Sequence, residues 1–359
     1  MVASSVDARA LRRRCVAAMS AEEHKFRPDM DGLRDFFAGA GTMNQSQREH
    51  VVQFITEVCE DYGFAGQTAW TAVNYFDRFL GKAIQTPKRR IELVSLSCLL
   101  VAAKFLECRS PSLEDLCTLS QNRLTKEDFM RFELKVLAQL EWQLAVPSPH
   151  AFLFHTVHMM STHCQGHALQ GRLQLLLKRA EFFVDLSAFE YSFLNLPLGT
   201  IAGAAFVCAL RQLRLDHKLD DMGEVEEELC SLLDCEQPVL FSSAETLMGC
   251  YYSCIAAEED SHALAAPSSS VVFEPIKAGA ADESAEPRSE SPDSIMTSAM
   301  ALATKPAAPP AEQATAGRPG KSKASAPRAP SPPPMRSVSE TFRGRSMLQQ
   351  ERSKRSRTS

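Results

Sequence analysis

The chain has 359 residues, enough for two domains and a tail. No stretch holds 18 uninterrupted apolar residues, which excludes a membrane-spanning helix. The polar, basic segment Arg9 to Arg14 does not read as a secretory signal. The net charge of −5 is uneven: residues 260–359 hold 14 Lys/Arg against 10 Asp/Glu, a net of +4, which leaves −9 on residues 1–259. An acidic body is a poor match to the phosphate backbone of nucleic acid and is compatible with a protein partner. The eleven cysteines are scattered singly along apolar segments, in odd number, and read as reduced, buried thiols rather than a disulfide framework.

In chain order, residues 1–29 form an N-terminal segment to which no element is assigned. Val51, Ile55, Val58 and Tyr62 recur at helical spacing and predict a helix over about 47–63, and Ala69, Ala72, Val73, Phe76 and Phe79 predict another over 67–82. A helix is predicted over about 90–107, and its run Leu96 to Phe105 is oily on every face, as in a buried central helix. Ser112 with Asp115, and Thr125 with Asp128, have the spacing of capping boxes and open two further helices, the second running to about Trp142. Pro147-Ser148-Pro149 then breaks the pattern, with Ser148 as N-cap and Pro149 at the first helical position. Five more helices are predicted at about 149–162, 168–190, 197–214, 223–233 and 237–257. The third of these is again apolar all round and rich in small side chains. The pattern is all-α, two five-helix units in tandem, each with an oily third helix.

Lys104 stands in the oily helix and Glu133 among Phe129, Phe132, Leu134 and Leu137 of a later one. A buried ammonium must be paired and hydrogen-bonded, so the two charges are expected to meet. Other clusters carry less. His155, His158, His163, Cys164 and His167 crowd one stretch but do not form a metal-ligand set. Gly39-Ala40-Gly41 lacks the further glycines of a phosphate cradle. No nucleophile–base constellation is present, so no catalytic residue, cofactor or metal is assigned.

From about residue 259 the composition changes. The last hundred residues contain 13 of the 20 prolines and only Phe273 and Phe342 as aromatics, a composition that cannot bury enough apolar surface to offset its ordering entropy. Residues 259–359 therefore read as a disordered Ser/Pro/Ala-rich tail. Ser291-Pro292 and Ser331-Pro332 are candidate sites for proline-directed kinases. The acidic run Asp282 to Asp293 is of the kind found in rapidly degraded proteins. The basic end from Arg318, with 11 basic and two acidic residues, has the character of a nuclear import signal.

Four separated blocks resemble the cyclins. Arg48 with Val51 to Glu60 looks like the first helix of a cyclin box, Ala72-Val73-Asn74-Tyr75-Phe76-Asp77-Arg78-Phe79-Leu80 like its second, Leu100 to Glu107 like the end of its third and Met130 to Leu137 like its fifth. In the second half, Leu196-Pro197 and Ile201 to Phe206 are similar to the third helix of a second box. The resemblance implies a first cyclin box over 30–146 and a second over 147–258. It also implies a regulatory subunit, not an enzyme, that binds and activates a cyclin-dependent protein kinase by holding the kinase's helix C inward. It would place Lys104 and Glu133 at that interface with Val101, Phe105 and Leu137 around them and Glu107 at the rim. Arg48 and Asp77 would be a structural pair tying the first helix to the second.

Many cyclins dock Arg-x-Leu substrates on an apolar patch, which the resemblance places here at Gln47, His50, Val51, Phe54, Glu57 and Ile91. Gln47 and His50 remove apolar contact worth roughly 1–2 kcal/mol per buried side chain, so docking should be weakened or altered. Val58 to Tyr62, and Leu140 to Leu144 followed by Pro149-His150-Ala151-Phe152, look most like D-type cyclins, although the Leu-x-Cys-x-Glu motif of that type is absent. The implied role is kinase activation at cell-cycle entry in the nucleus and cytoplasm, with substrates or inhibitors of the complex as further partners and no membrane. The rival readings are a transcription-associated cyclin, a two-box DNA-binding transcription factor and a kinase-independent scaffold.

Overall fold

The computed structural model describes residues 5–39, 43–82, 86–87, 90–163, 172–215 and 222–265, all within one compact unit. Every regular element among them is helical: α1 Ser5–Glu23, α2 Met30–Ala38, α3 Gln45–Tyr62, α4 Gly66–Lys82, α5 Ile91–Leu106, α6 Leu113–Leu119, α7 Lys126–Gln139, α8 Pro149–His163, α9 Leu173–Ser187, α10 Leu198–Gln212, α11 Met222–Leu233 and α12 Gln237–Ala265, with 3-10 turns at His24–Phe26 and Tyr191–Asn195. The all-α reading holds for the described residues. The start of the helix predicted at 168, and the tail from residue 266 on with Ser291 and Ser331, lie outside them.

The two oily helices are central, as their composition requires. α5 is buried from Leu93 through Ala103 and packs against α3, α4 and α7. α10 is buried from Leu198 through Leu210 and is ringed by α8, α9, α11 and α12. The capping boxes at Ser112/Asp115 and Thr125/Asp128 form as expected, and Asn44 with Gln47 makes a third at the start of α3. The Ser148 hydroxyl accepts from Ala151 N at 3.4 Å and opens α8.

Helix ends are stopped by left-handed residues. An amide two or three residues past the helix donates to the carbonyl five residues back: Phe64 to Cys59 O at 2.8 Å, Asn122 to Cys117 O at 2.7 Å, Trp142 to Leu137 O at 3.0 Å, Leu215 to Leu210 O at 2.9 Å and Cys235 to Cys230 O at 3.2 Å. Gly63 supplies the positive φ without strain, whereas Gln121, Asn122, Glu141, Trp142, Arg214 and Asp234 adopt it with side chains. Close approach of α2 to α4 needs Gly32, where a Cβ would stand 1.9 Å from Gly81 O.

Two boundaries differ from expectation. Residues 1–29 contain a 19-residue helix, α1, that lies on the second set of helices, against α8, α10 and α11. Arg9 and Arg13 both reach Glu228 of α11 at 2.5 Å, and the buried Glu23 carboxylate accepts from Leu198 N at 2.8 Å at the start of α10. The sequence hid this because the apolar residues of α1 are mostly small and interspersed with charges, and its contacts with α10 and α11 are made by ion pairs and a carboxylate as well as by the buried Val16. At the other end α12 continues to Ala265, past the helix end expected at 257 and the tail boundary placed at 259.

Candidate functional site

Lys104 and Glu133 meet on the outer side of α5 and α7, with Nζ donating to Oε1 at 2.5 Å. The premise of a buried lysine is corrected. The core ends at Ala103, and Lys104, Phe105 and Leu106 of the last turn are all exposed. The lysine side chain is 46% exposed and Glu133 19%, so the pair carries little of the desolvation cost of an interior pair.

α7 is built to present this face. Its capped start fixes the register, and Phe129, Phe132 and Val136 turn inward, with the Phe132 ring 5.8 Å from that of Phe79. Met130 and Leu134, four residues apart, are exposed on the flank of this inward face, with the partly buried Glu133 at its edge. Leu134 is 64% exposed, and with Met130, Phe105 and Leu106 it makes an apolar surface around the ion pair. Leu106, Met130 and Leu134 extend this surface beyond the residues the resemblance implies, and the i, i+4 spacing of Met130 and Leu134 is the signal for it in the sequence.

Three residues assigned to this surface by the resemblance sit otherwise. Val101 and Leu137 are 3% and 9% exposed and face the chain's own core. Glu107 leaves α5 and turns its Oε1 to the start of α4, accepting from Ala65 N at 3.0 Å and from the Thr68 hydroxyl at 2.5 Å. A cap from so distant a residue has no local spacing to betray it.

Arg48 and Asp77 pair in full. Nε and Nη2 donate to the two carboxylate oxygens at 2.8 and 2.7 Å, both side chains buried to 1% or less. Arg48 Nη1 also donates to Phe189 O at 3.2 Å, so the guanidinium joins α3 and α4 to the turn after α9. Burial by itself would lower the Arg48 pKa; the Asp77 charge and hydrogen bond outweigh it, and the pKa is raised. Nearby, Tyr75 OH donates to Leu144 O at 2.7 Å and Arg78 to Gln143 O at 3.0 Å, tethering the chain that leaves α7.

Of the expected docking patch, Gln47, His50, Val51, Phe54 and Ile91 line one groove beside α3, with Met43 and Leu119 in its wall and the Glu92–Arg123 ion pair (2.8 Å) at its edge. Glu57 stands off it and accepts from Gln53 at 2.9 Å. Gln47 and His50 carry helix-local bonds, to Asn44 N at 3.2 Å and Ser46 O at 2.7 Å. His155 and His158 pack on Phe154, and Cys164 and His167 lie outside the described residues.

The comparisons agree with this geometry. Residues 14–145 match the family model for the cyclin N-terminal domain. Over 169 residues, 46% of the chain, it is 32% identical to G1/S-specific cyclin-D2 of Rattus norvegicus, covering 56% of that protein. It is 31% identical over 170 residues to G1/S-specific cyclin-D1 of Homo sapiens (47% of this chain, 55% of that one), and 30% identical over 168 residues to cyclin-A1-3 of Oryza sativa subsp. japonica (46% and 33%). The chain spans about half the length, or less, of these curated relatives. The fold is similar to a viral cyclin from herpesvirus saimiri, with a TM-score of 0.53 and 16% identity over 66% of this chain and 95% of that one. The chain thus carries a cyclin N-terminal domain. By sequence it is similar to D-type cyclins and, over nearly the same length, to an A-type cyclin.

Proposed function

We propose that this cyclin is the regulatory subunit of a serine/threonine kinase rather than an enzyme, and that it binds and activates a cyclin-dependent kinase at cell-cycle entry. The observation that carries the reading is the exposed Lys104–Glu133 pair set in the apolar surface of Phe105, Leu106, Met130 and Leu134. An exposed ion pair adds little to stability, and four large apolar side chains around it favour a protein partner. The ammonium keeps donors for a partner's carbonyls while Glu133 orients it. The division into boxes at 146/147, nuclear and cytoplasmic residence, and phosphorylation of Ser291 and Ser331 belong to the same reading.

Capture of the full chain from its own cells, with identification of the bound kinase and assay of phosphotransfer, tests it. The expected result is one kinase whose activity falls when Lys104 is replaced by Ala. Capture without kinase would replace it with the kinase-independent scaffold, and salt-sensitive DNA binding by residues 1–259 with the transcription-factor reading. Within the complex, an Arg-x-Leu peptide should bind weakly, and tight binding lost on mutation of Val51 or Phe54 would contradict the altered docking groove.

A further inference from the structure

The cysteines of this chain read as solitary, but the end of α11 brings two together. The amide of Cys235 donates to Cys230 O at 3.2 Å across Asp234, whose φ is +50°. This six-residue closure sets the third residue from the helix end against the second residue beyond it, so their side chains meet. Here both are cysteines. Their thiols lie within hydrogen-bonding reach of one another, both are free, and both are only partly buried. The run Cys230-Ser-Leu-Leu-Asp-Cys235 encodes the pair locally.

We infer that Cys230 and Cys235 form an oxidisable dithiol that closes to an intrachain disulfide when a peroxide reaches it. The backbone closure sets the two thiols side by side at the end of α11, the arrangement an S–S bond requires. Cys230 attacks first. Its thiolate takes one oxygen of the peroxide, giving a sulfenic acid and releasing water or an alcohol; the Cys235 thiolate then displaces the sulfenic oxygen, forming the S–S bond and a second water. Two thiols give up two hydrogens and two electrons, and one peroxide is reduced. Burial raises both thiols, Cys235 to about 12, so closure is slow at neutral pH and quickens as pH rises. The closed form would pin the last turn of α11, the helix whose Glu228 holds α1.

The full chain, reduced and desalted, is treated with hydrogen peroxide, denatured, blocked with N-ethylmaleimide and mapped by peptide mass spectrometry. The expected product lacks two hydrogens, takes no maleimide at Cys230 or Cys235, labels at Cys250 and Cys254, and is restored by dithiothreitol. In Cys235→Ser, dimedone should trap a sulfenic acid at Cys230. Full labelling of both positions at a peroxide dose that oxidises the exposed Cys108 overturns the inference. Loss of label that tracks with chain-to-chain dimers and disappears in Cys108→Ser overturns it equally.

Discussion

Arg48–Asp77 and Lys104–Glu133 are each a cation and a carboxylate 29 residues apart that bridge two helices of the same set. One pair is sealed in the interior and uses three guanidinium nitrogens. The other stands at the rim with a single contact and a half-exposed lysine. The same chemistry therefore serves opposite ends. In the interior, removing one partner strands a buried charge, so the pair is bound to the fold; at the rim the pair is nearly neutral for stability and is available to a partner.

Breaking the interior member should give the largest effect. Arg48→Ala leaves Asp77 buried without its cation and is expected to cost about 3–5 kcal/mol, read as a lowered midpoint in urea unfolding and a lower Tm. A change confined to the Arg48 surroundings with no loss of stability would show that the pair is not sealed. Next comes packing near the same helix: Gly32→Ala drives a methyl into Gly81 O and should cost about 1–3 kcal/mol as α2 and α4 separate. At the rim, Lys104→Ala should change unfolding free energy by less than about 1 kcal/mol while phosphotransfer by the bound kinase falls sharply. Unfolding of that variant would erase the contrast.

A half-buried group sharpens it further. Burial pushes the Glu228 carboxyl up, but hydrogen bonds from Arg9 and Arg13 outweigh it and hold it below its ordinary value. Its folded pKa is depressed, so its contribution is present above the unfolded value and is lost as pH falls through the folded one. Amide protection in α1 should therefore drop in acid, and in Glu228→Gln it should be low already at neutral pH.

Much of this contrast was legible in the residues. The central positions of α5 and α10 follow from runs with no polar face, and the starts of α6 and α7 from Ser112/Asp115 and Thr125/Asp128, because these are local rules. The meeting of Lys104 with Glu133 was also expected. Which side of each helix met solvent was not: Leu134 and Leu137 are both leucines three residues apart, and only packing of α7 on α4 and α5 decides that one is exposed and the other buried. The cap from Glu107 to Ala65, and the grip of Glu23 on Leu198, join residues far apart in sequence, where no spacing rule applies.

The attachment of α1 bears on how this protein is made. Its partners arrive late: Leu198 lies 175 residues after Glu23, and Glu228 lies 219 after Arg9. A helix in a protein draws most of its stability from packing, which α1 lacks until its partners exist, and contacts so distant are slow to close. α1 therefore completes its docking only after α10 and α11 have been made. For most of translation it is an unpartnered segment within reach of chaperones and proteases, and its burial marks the completion of the chain's second half.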